Sequence, residues 1–126
     1  MPGPANLTLV ALDAVTTAVA GPSLGLQGQI ITKDSGGKAD NLYAIPFTAL
    51  ATLLPNGASP SATVIIETAP LGASSWTTWA TLVFDKLVQQ SHRRLGKLPT
   101  SAVYVRMRVS AINNATMNGV IMVPGN

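Results

Sequence analysis

The chain has 126 residues, which is the size of one domain and enough to close a single hydrophobic core. Charged residues make up only 10% of it, hydrophobic residues make up 47%, and the formal net charge is +3. An ordinary soluble domain carries roughly 25% charged residues. The absence of cysteine excludes disulfides, thiolate nucleophiles and cysteine-ligated zinc. A surface with so few charges favours association, so the composition predicts that part of the surface is buried against neighbouring proteins. The alternative is a monomer whose hydrophobic content is high because it contains many alanines.

The N-terminal residues 1–6 contain Pro2 and Pro4 on either side of a glycine, and they predict an extended arm without structure of its own. The apolar run Leu7–Leu12 predicts the first strand. No basic residue precedes this run and Asp13 interrupts it, so we expect neither a signal peptide nor secretion. No stretch of the sequence has the length and apolar character of a membrane span.

Turn and loop signals divide the next part of the chain. Gly21-Pro22 predicts a turn between candidate strands at Ala14–Ala20 and Leu24–Thr32. Lys33–Asp40 is the most polar loop in the chain. Its two aspartates offer oxygen ligands for calcium, but its two lysines and the irregular spacing of the acids argue against a metal site.

The second half of the chain alternates between apolar and polar residues, as strands with one buried face do. The predicted strands are Phe47–Leu54, Ala62–Thr68, Trp76–Phe84, Arg93–Leu98, Ala102–Ser110 and Met117–Val123; for the first of these, a helical turn is the alternative. Pro46 cannot donate a ladder hydrogen bond, which indicates an edge strand or a bulge rather than a central strand. The pattern of about eight to ten short strands separated by turns predicts an all-β fold, an antiparallel β-sandwich or jelly roll over residues 7–126.

Few residues are suited to catalysis. His92 is the single histidine, and because its neighbours are Arg93 and Arg94 rather than a carboxylate, we predict a solvated loop residue and not a general base. Glu67 and Asp85 could act as a glycosidase pair, but the parity of Glu67 in its strand predicts an outward-facing side chain. We therefore predict a protein without catalytic residues, cofactor or metal.

Basic and aromatic side chains share one face of the most regular strand. Tyr104, Arg106 and Arg108 could hold single-stranded nucleic acid by charge and stacking. The small basic excess makes nucleic acid an unlikely partner and favours a protein interface, a role that Trp79 also suits. Trp76, the first residue of its predicted strand, is predicted to be buried at the end of the core. The predicted interface comprises Pro2, Pro4, Leu7, Trp79, Tyr104, Arg106 and Arg108.

Several segments resemble a pattern common in virion proteins of tailed bacteriophages. In that pattern a strand ending E-T-S leads through a turn into S-W-T-T-x-A-T, and a Y-V-R-V-x-V strand follows; the matching segments here are Val64–Thr68, Ser75–Phe84 and Tyr104–Val109. Ala11–Thr16 and Leu24–Leu26 also resemble the opening of such domains, so the resemblance covers most of residues 7–123.

The resemblance implies a β-sandwich that serves as a capsid decoration (cement) protein, a tail component or an adhesion module. From it we expect a structural subunit of the capsid surface that is made in the host cytoplasm and binds the major capsid protein and copies of itself, as a homotrimer. Two alternatives stay open. One is a carbohydrate- or receptor-binding module with Trp79 and Tyr104 as stacking platforms, and the other is a tail-tube or connector component.

Overall fold

The computed structural model describes residues 7–25, 46–70, 75–85, 88–97 and 104–123. Within these ranges the chain forms nine β-strands and no helix. The strands are β1 (Leu7–Val15), β2 (Val19–Ala20), β3 (Leu24–Gly25), β4 (Pro46–Pro55), β5 (Ser61–Ala69), β6 (Thr77–Phe84), β7 (Gln90–Lys97), β8 (Tyr104–Asn113) and β9 (Ala115–Val123). The prediction of an all-β fold of short strands is therefore confirmed.

The strands form two antiparallel sheets. The four-stranded sheet has the order β1-β9-β4-β7, and the five-stranded sheet has the order β2-β8-β5-β6, with β3 also paired to β8. Most consecutive strands lie in different sheets, and β5 and β6 are the long consecutive strands that pair directly. Of the two architectures that the sequence allowed, this interleaved order is that of a jelly roll, in which chain-distant strands become neighbours.

The core lies between the two sheets and takes the inward-facing residues of both. Its largest fully buried side chains are Phe47, Leu12, Leu53, Met117 and Ile121 from the four-stranded sheet, and Phe84, Ile66, Leu82, Met107 and Val64 from the five-stranded sheet. The period-2 alternation of β8 is a direct consequence, because Val105, Met107 and Val109 are buried while the residues between them face away from the core.

The position of β4 corrects one prediction. Pro46 was expected to mark an edge strand or a bulge, but β4 lies between β9 and β7 and is central. The proline is tolerated because it is the first residue of the strand, and pairing with β9 begins only at Thr48.

Some predicted features lie outside the described residues. These are the N-terminal arm with Pro2 and Pro4, most of the candidate strand Leu24–Thr32, and the polar loop Lys33–Asp40 with its candidate calcium ligands. The described residues contain no helix of the length and apolar character needed to cross a membrane.

Candidate functional surfaces

A buried carboxylate lies on the outer face of the five-stranded sheet between two arginines. Glu67 of β5 is directly opposite Arg106 of β8, whose Nε donates to Oε1 at 2.9 Å. The Nε of Arg108, two residues along β8, lies 3.2 Å from the other carboxylate oxygen. The indole of Trp76 covers Arg106, with the guanidinium carbon 3.9 Å from the ring centroid. We call Glu67, Trp76, Arg106 and Arg108 the arginine cluster.

The arginine cluster explains how an acid is buried in a sheet with so few charges. The side chain of Glu67 is only 7% exposed, against 22% for Arg106 and 35% for Arg108. The parity of Glu67 is outward, as predicted, but the side chain is covered rather than solvated. A hydrogen bond from Arg106 to one carboxylate oxygen and the ion pair of Arg108 with the other offset the cost of removing the acid from water.

A β-bulge between β5 and β6 changes the parity of the residues before it. Ile66 lies opposite Ala80, but the next residue, Glu67, lies opposite Thr78, so Trp79 is the extra residue on β6. An extra residue in one strand exchanges inward and outward positions on one side of the bulge.

The bulge reverses the predicted roles of the two tryptophans. Trp79 packs against the core, its ring centroid is 4.7 Å from that of Phe47 on the opposite sheet, and it lies against Gly96 of β7. Trp76 lies on the outer face over Arg106 and is not a member of the core cluster. The assignment of Trp76 to the core is wrong, and the signal for the bulge was not visible in the alternation of a single strand.

The residues considered for catalysis are not brought together. His92 lies in β7 and not in a solvated loop, and its ring packs edge-on against Phe84 at 4.5 Å between centroids. Its Nε2 is buried and no described residue accepts from or donates to it. Asp85 follows Phe84, which pairs with Ala62 at the far end of β5 from Glu67, so the two acids do not form a pair. The described residues include no group of three or more metal-ligating side chains of the His, Cys, Asp and Glu type.

The outer face of the four-stranded sheet is apolar. One row of residues across the sheet is Val10, Val120, Leu50 and Arg93, and the next is Thr8, Met122, Thr48 and Leu95. Val10 is 57% exposed and Leu95 is 64% exposed, while Met122 lies between them. We call Val10, Leu50, Leu95, Val120 and Met122 the apolar face.

In the two rows named, the charged residue is Arg93 at the β7 margin; Lys97, opposite Pro46, follows Leu95 at the same parity of β7, and the exposed Asp13 lies in β1. The next row contains Asn118, Thr52 and Ser91, and the two hydroxyl oxygens are 2.9 Å apart. An antiparallel sheet that faces water on one side normally carries polar residues there. The strands β1, β9 and β4 instead carry apolar residues on both sides, so this face departs from that pattern.

The predicted interface residues fall on different parts of the molecule. Tyr104, Arg106 and Arg108 share the outer face of β8, whereas Leu7 opens β1 in the other sheet opposite Val123. Trp79 packs between the sheets. The apolar face was missed, although the apolar residues at both parities of Leu7–Leu12 and Met117–Val123 were its signal.

Comparison with known proteins shows a shared fold. No protein-family model matches the sequence, and no curated protein matches it. The structure of the SPBc2 prophage-derived protein YomS matches with a TM-score of 0.52 and 10% identity, over 97% of this chain and 95% of that chain. The C-terminal family 22 carbohydrate-binding module of Clostridium thermocellum Xyn10B matches with a TM-score of 0.52 and 10% identity, over 100% of this chain and 85% of that chain. At this identity, both likenesses show the β-sandwich fold alone.

Proposed function

We propose that this protein is a structural subunit of a bacteriophage particle, a capsid decoration (cement) protein without catalytic activity that binds coat subunits through its apolar face. The apolar face is the observation that carries the proposal. Its five members are apolar, charged residues lie only at its margins, and Val10, Leu95 and Met122 are exposed and do not belong to the core of the subunit itself.

The free energy available from covering the apolar face suits a protein that holds neighbouring subunits together without catalysis. Removing apolar surface from water contributes about 25 cal/mol per Å², and a fully covered valine or leucine contributes about 1.5–3 kcal/mol. Val10 and Leu95 are more than half exposed, so most of this free energy is still to be gained when a neighbour covers them. A rigid antiparallel sheet presents these side chains without the entropy cost of ordering a loop.

The fold supports the same role by analogy. Jelly rolls form many viral capsid domains as well as lectin domains, and one of the structures that match this chain nearly end to end is named as a prophage-derived protein. The segments that resemble phage virion proteins form β5, β6 and β8, which are neighbours in the five-stranded sheet. In the proposed assembly, the subunit lies on the capsid surface and contacts the major capsid protein and copies of itself.

A pair of matched substitutions tests the proposal. Val10 on β1 and Val83 on β6 are both valines of edge strands, 57% and 54% exposed, but they lie on the outer faces of different sheets. Val10→Lys places a charge on the apolar face, and Val83→Lys places the same charge on the opposite side. The measurement is co-sedimentation of each purified protein with expanded capsids of the phage that carries it, together with the sedimentation coefficient of the protein alone.

We expect the unaltered protein and Val83→Lys to bind capsids at a stoichiometric ratio. Val10→Lys is expected to bind at least tenfold more weakly, because burying an unpaired charge costs more than about 1.4 kcal/mol. A protein that stays monomeric at high concentration and does not bind capsids would refute the proposal. Equal loss of binding in both variants would refute the assignment to the apolar face.

A further inference from the structure

The arginine cluster lies on the side of the molecule opposite the apolar face, and it carries an excess of positive charge. Two guanidinium groups against one carboxylate leave a net charge of +1 (2 − 1). Asp85 lies seven residues along β6 from Thr78, the partner of Glu67, which is about 23 Å of extended strand. This separation exceeds the Debye length of about 8 Å at physiological salt, so Asp85 does not neutralise the cluster.

Glu67 lies against the Nε of both guanidinium groups and, among the described residues, has no competing acceptor for their other donors. Arg106 and Arg108 each reach the carboxylate with Nε. A guanidinium has five N–H donors, of which four belong to its two terminal NH2 groups. Among the described residues, none accepts a hydrogen bond from these terminal groups. Glu67 is therefore a positioning residue that holds the guanidinium groups of Arg106 and Arg108 side by side on the sheet surface.

The two guanidinium groups have aromatic residues near them on one side and small residues on the other. Trp76 covers Arg106, and Tyr104 lies two residues from Arg106 on the same face of β8. On the β2–β3 side, Ala20 is opposite Arg108 and Gly25 is opposite Tyr104. The ring of Tyr104 lies against Gly25, where an added β-carbon would be 3.1 Å from Cε1, and Arg108 is the more exposed of the two arginines.

We propose that the arginine cluster binds an acidic sugar, a pyranose ring that carries a carboxylate. The carboxylate accepts hydrogen bonds from the terminal NH2 groups of Arg106 and Arg108, since a planar guanidinium matches the geometry of a carboxylate. Its single negative charge balances the net charge of the cluster. The apolar edge of the sugar ring packs against the exposed parts of Trp76 and Tyr104.

This site is independent of the apolar face, so the subunit is built to bind a neighbour on one side and a soluble or surface glycan on the other. Nucleic acid fits the cluster less well, because one excess charge gives little attraction to a polyanion.

The test is an NMR titration of the 15N-labelled protein with glucuronate, and with glucose, acetate and inorganic phosphate as separate probes. The two indole N–H signals are assigned with Trp76→Phe, which removes one of them. We expect glucuronate to shift the Trp76 indole and the backbone signals of residues 104–108, with an affinity at least tenfold above that for acetate or glucose. Added NaCl is expected to weaken the binding.

A charge-matched pair of variants locates the site. Arg108→Gln removes one guanidinium group and is expected to weaken glucuronate binding about tenfold or more, as expected for a charge-assisted hydrogen bond. Arg93→Gln removes the same charge from the margin of the other sheet and should leave the affinity unchanged. If Arg108→Gln does not fold, as judged by the dispersion of its spectrum, Arg108→Lys keeps the charge and removes only the guanidinium group.

Three results would overturn the proposal. They are the absence of shifts with glucuronate, an affinity for phosphate equal to or above that for glucuronate, and an equal loss of glucuronate binding in Arg108→Gln and Arg93→Gln. None of these results bears on capsid binding through the apolar face, which is tested separately.

Discussion

Gly96 of β7 is a residue whose lack of a side chain is required by a neighbour in the other sheet. A β-carbon built on Gly96 would overlap the indole of Trp79 and lie 2.7 Å from its Cη2. The bulge at Trp79 turns this ring inward, and the space above Gly96 is what receives it. The close approach of the indole is sufficient to explain why residue 96 is a glycine, and no special backbone conformation is needed.

We predict that Gly96→Ala lowers the free energy of unfolding by about 1–3 kcal/mol, because the ring must shift within a packed core. The measurement is urea denaturation followed by tryptophan fluorescence. In a Trp79→Phe background, where the smaller ring does not reach as far, the same substitution should cost less. An equal cost in both backgrounds would show that the contact between Gly96 and Trp79 is not the cause.

At the scale of elements, the connection between β8 and β9 depends on Asn114. Its φ is 48°, in the left-handed region, where asparagine is tolerated better than most residues. Its side-chain Nδ2 donates to the carbonyl of Ala58 at 2.5 Å, and its own carbonyl accepts from the backbone N–H of Asn56 at 3.0 Å. The turn between β8 and β9 is thereby fastened to the loop between β4 and β5, and both connections cross from one sheet to the other.

Two substitutions separate the hydrogen bond of Asn114 from its backbone conformation. Asn114→Asp keeps a residue that tolerates positive φ but cannot donate to Ala58, so we predict a loss of about 1 kcal/mol. Asn114→Val loses the donor and also strains the backbone, so we predict a loss of about 2–4 kcal/mol. Chemical denaturation at pH 7 measures both values.

The neighbouring residue is the control for this prediction. Asn113 donates to Ser59 over a longer distance, 3.4 Å, and its φ is not positive. Asn113→Asp should therefore cost less than Asn114→Asp. The reverse order, or an Asn114→Val variant as stable as Asn114→Asp, would contradict the proposed role of the turn.

At the scale of the whole molecule, the two sheets share one core and neither has an apolar cluster of its own. Ile121 of the four-stranded sheet and Ile66 of the five-stranded sheet are both completely buried in the same cluster. Since most consecutive strands lie in different sheets, we expect the two sheets to unfold together.

We predict that Ile121→Ala and Ile66→Ala each lower the stability by about 2–5 kcal/mol and shift one common unfolding transition. Far-UV circular dichroism reports on both sheets, and tryptophan fluorescence, with Trp76 replaced by Phe in every protein compared, reports on the contact of Trp79 between them. The two signals should give coincident transitions in the parent protein and in both variants. Two separate transitions would show that the sheets unfold independently.

Prediction from sequence succeeded where the signal is local. The alternation of Tyr104–Ser110 and the β-branched run Ala62–Thr68 predicted β8 and β5, because every second side chain of a strand faces the same way. It failed where a residue's surroundings come from another strand. Glu67 lies 39 residues from Arg106, the arginine that covers it, and only the register of β5 with β8 places them side by side.

The same distinction explains the errors at Trp76, Trp79 and His92. One extra residue in β6 exchanges the directions of the two tryptophans, and a bulge exists only as a relation between two paired strands. His92 is a strand residue because β7 pairs with β4, although its own sequence is polar and basic.

By itself, the sequence determined the fold class, the strand segments of the second half and the shortage of charge, because periodicity and composition are properties of short stretches and of the whole chain. Only the tertiary structure decided the jelly-roll order, the burial of Glu67 between two arginines and the existence of the apolar face. These depend on which distant strands become neighbours and in which register, and that choice is made by packing one shared core rather than by any segment alone.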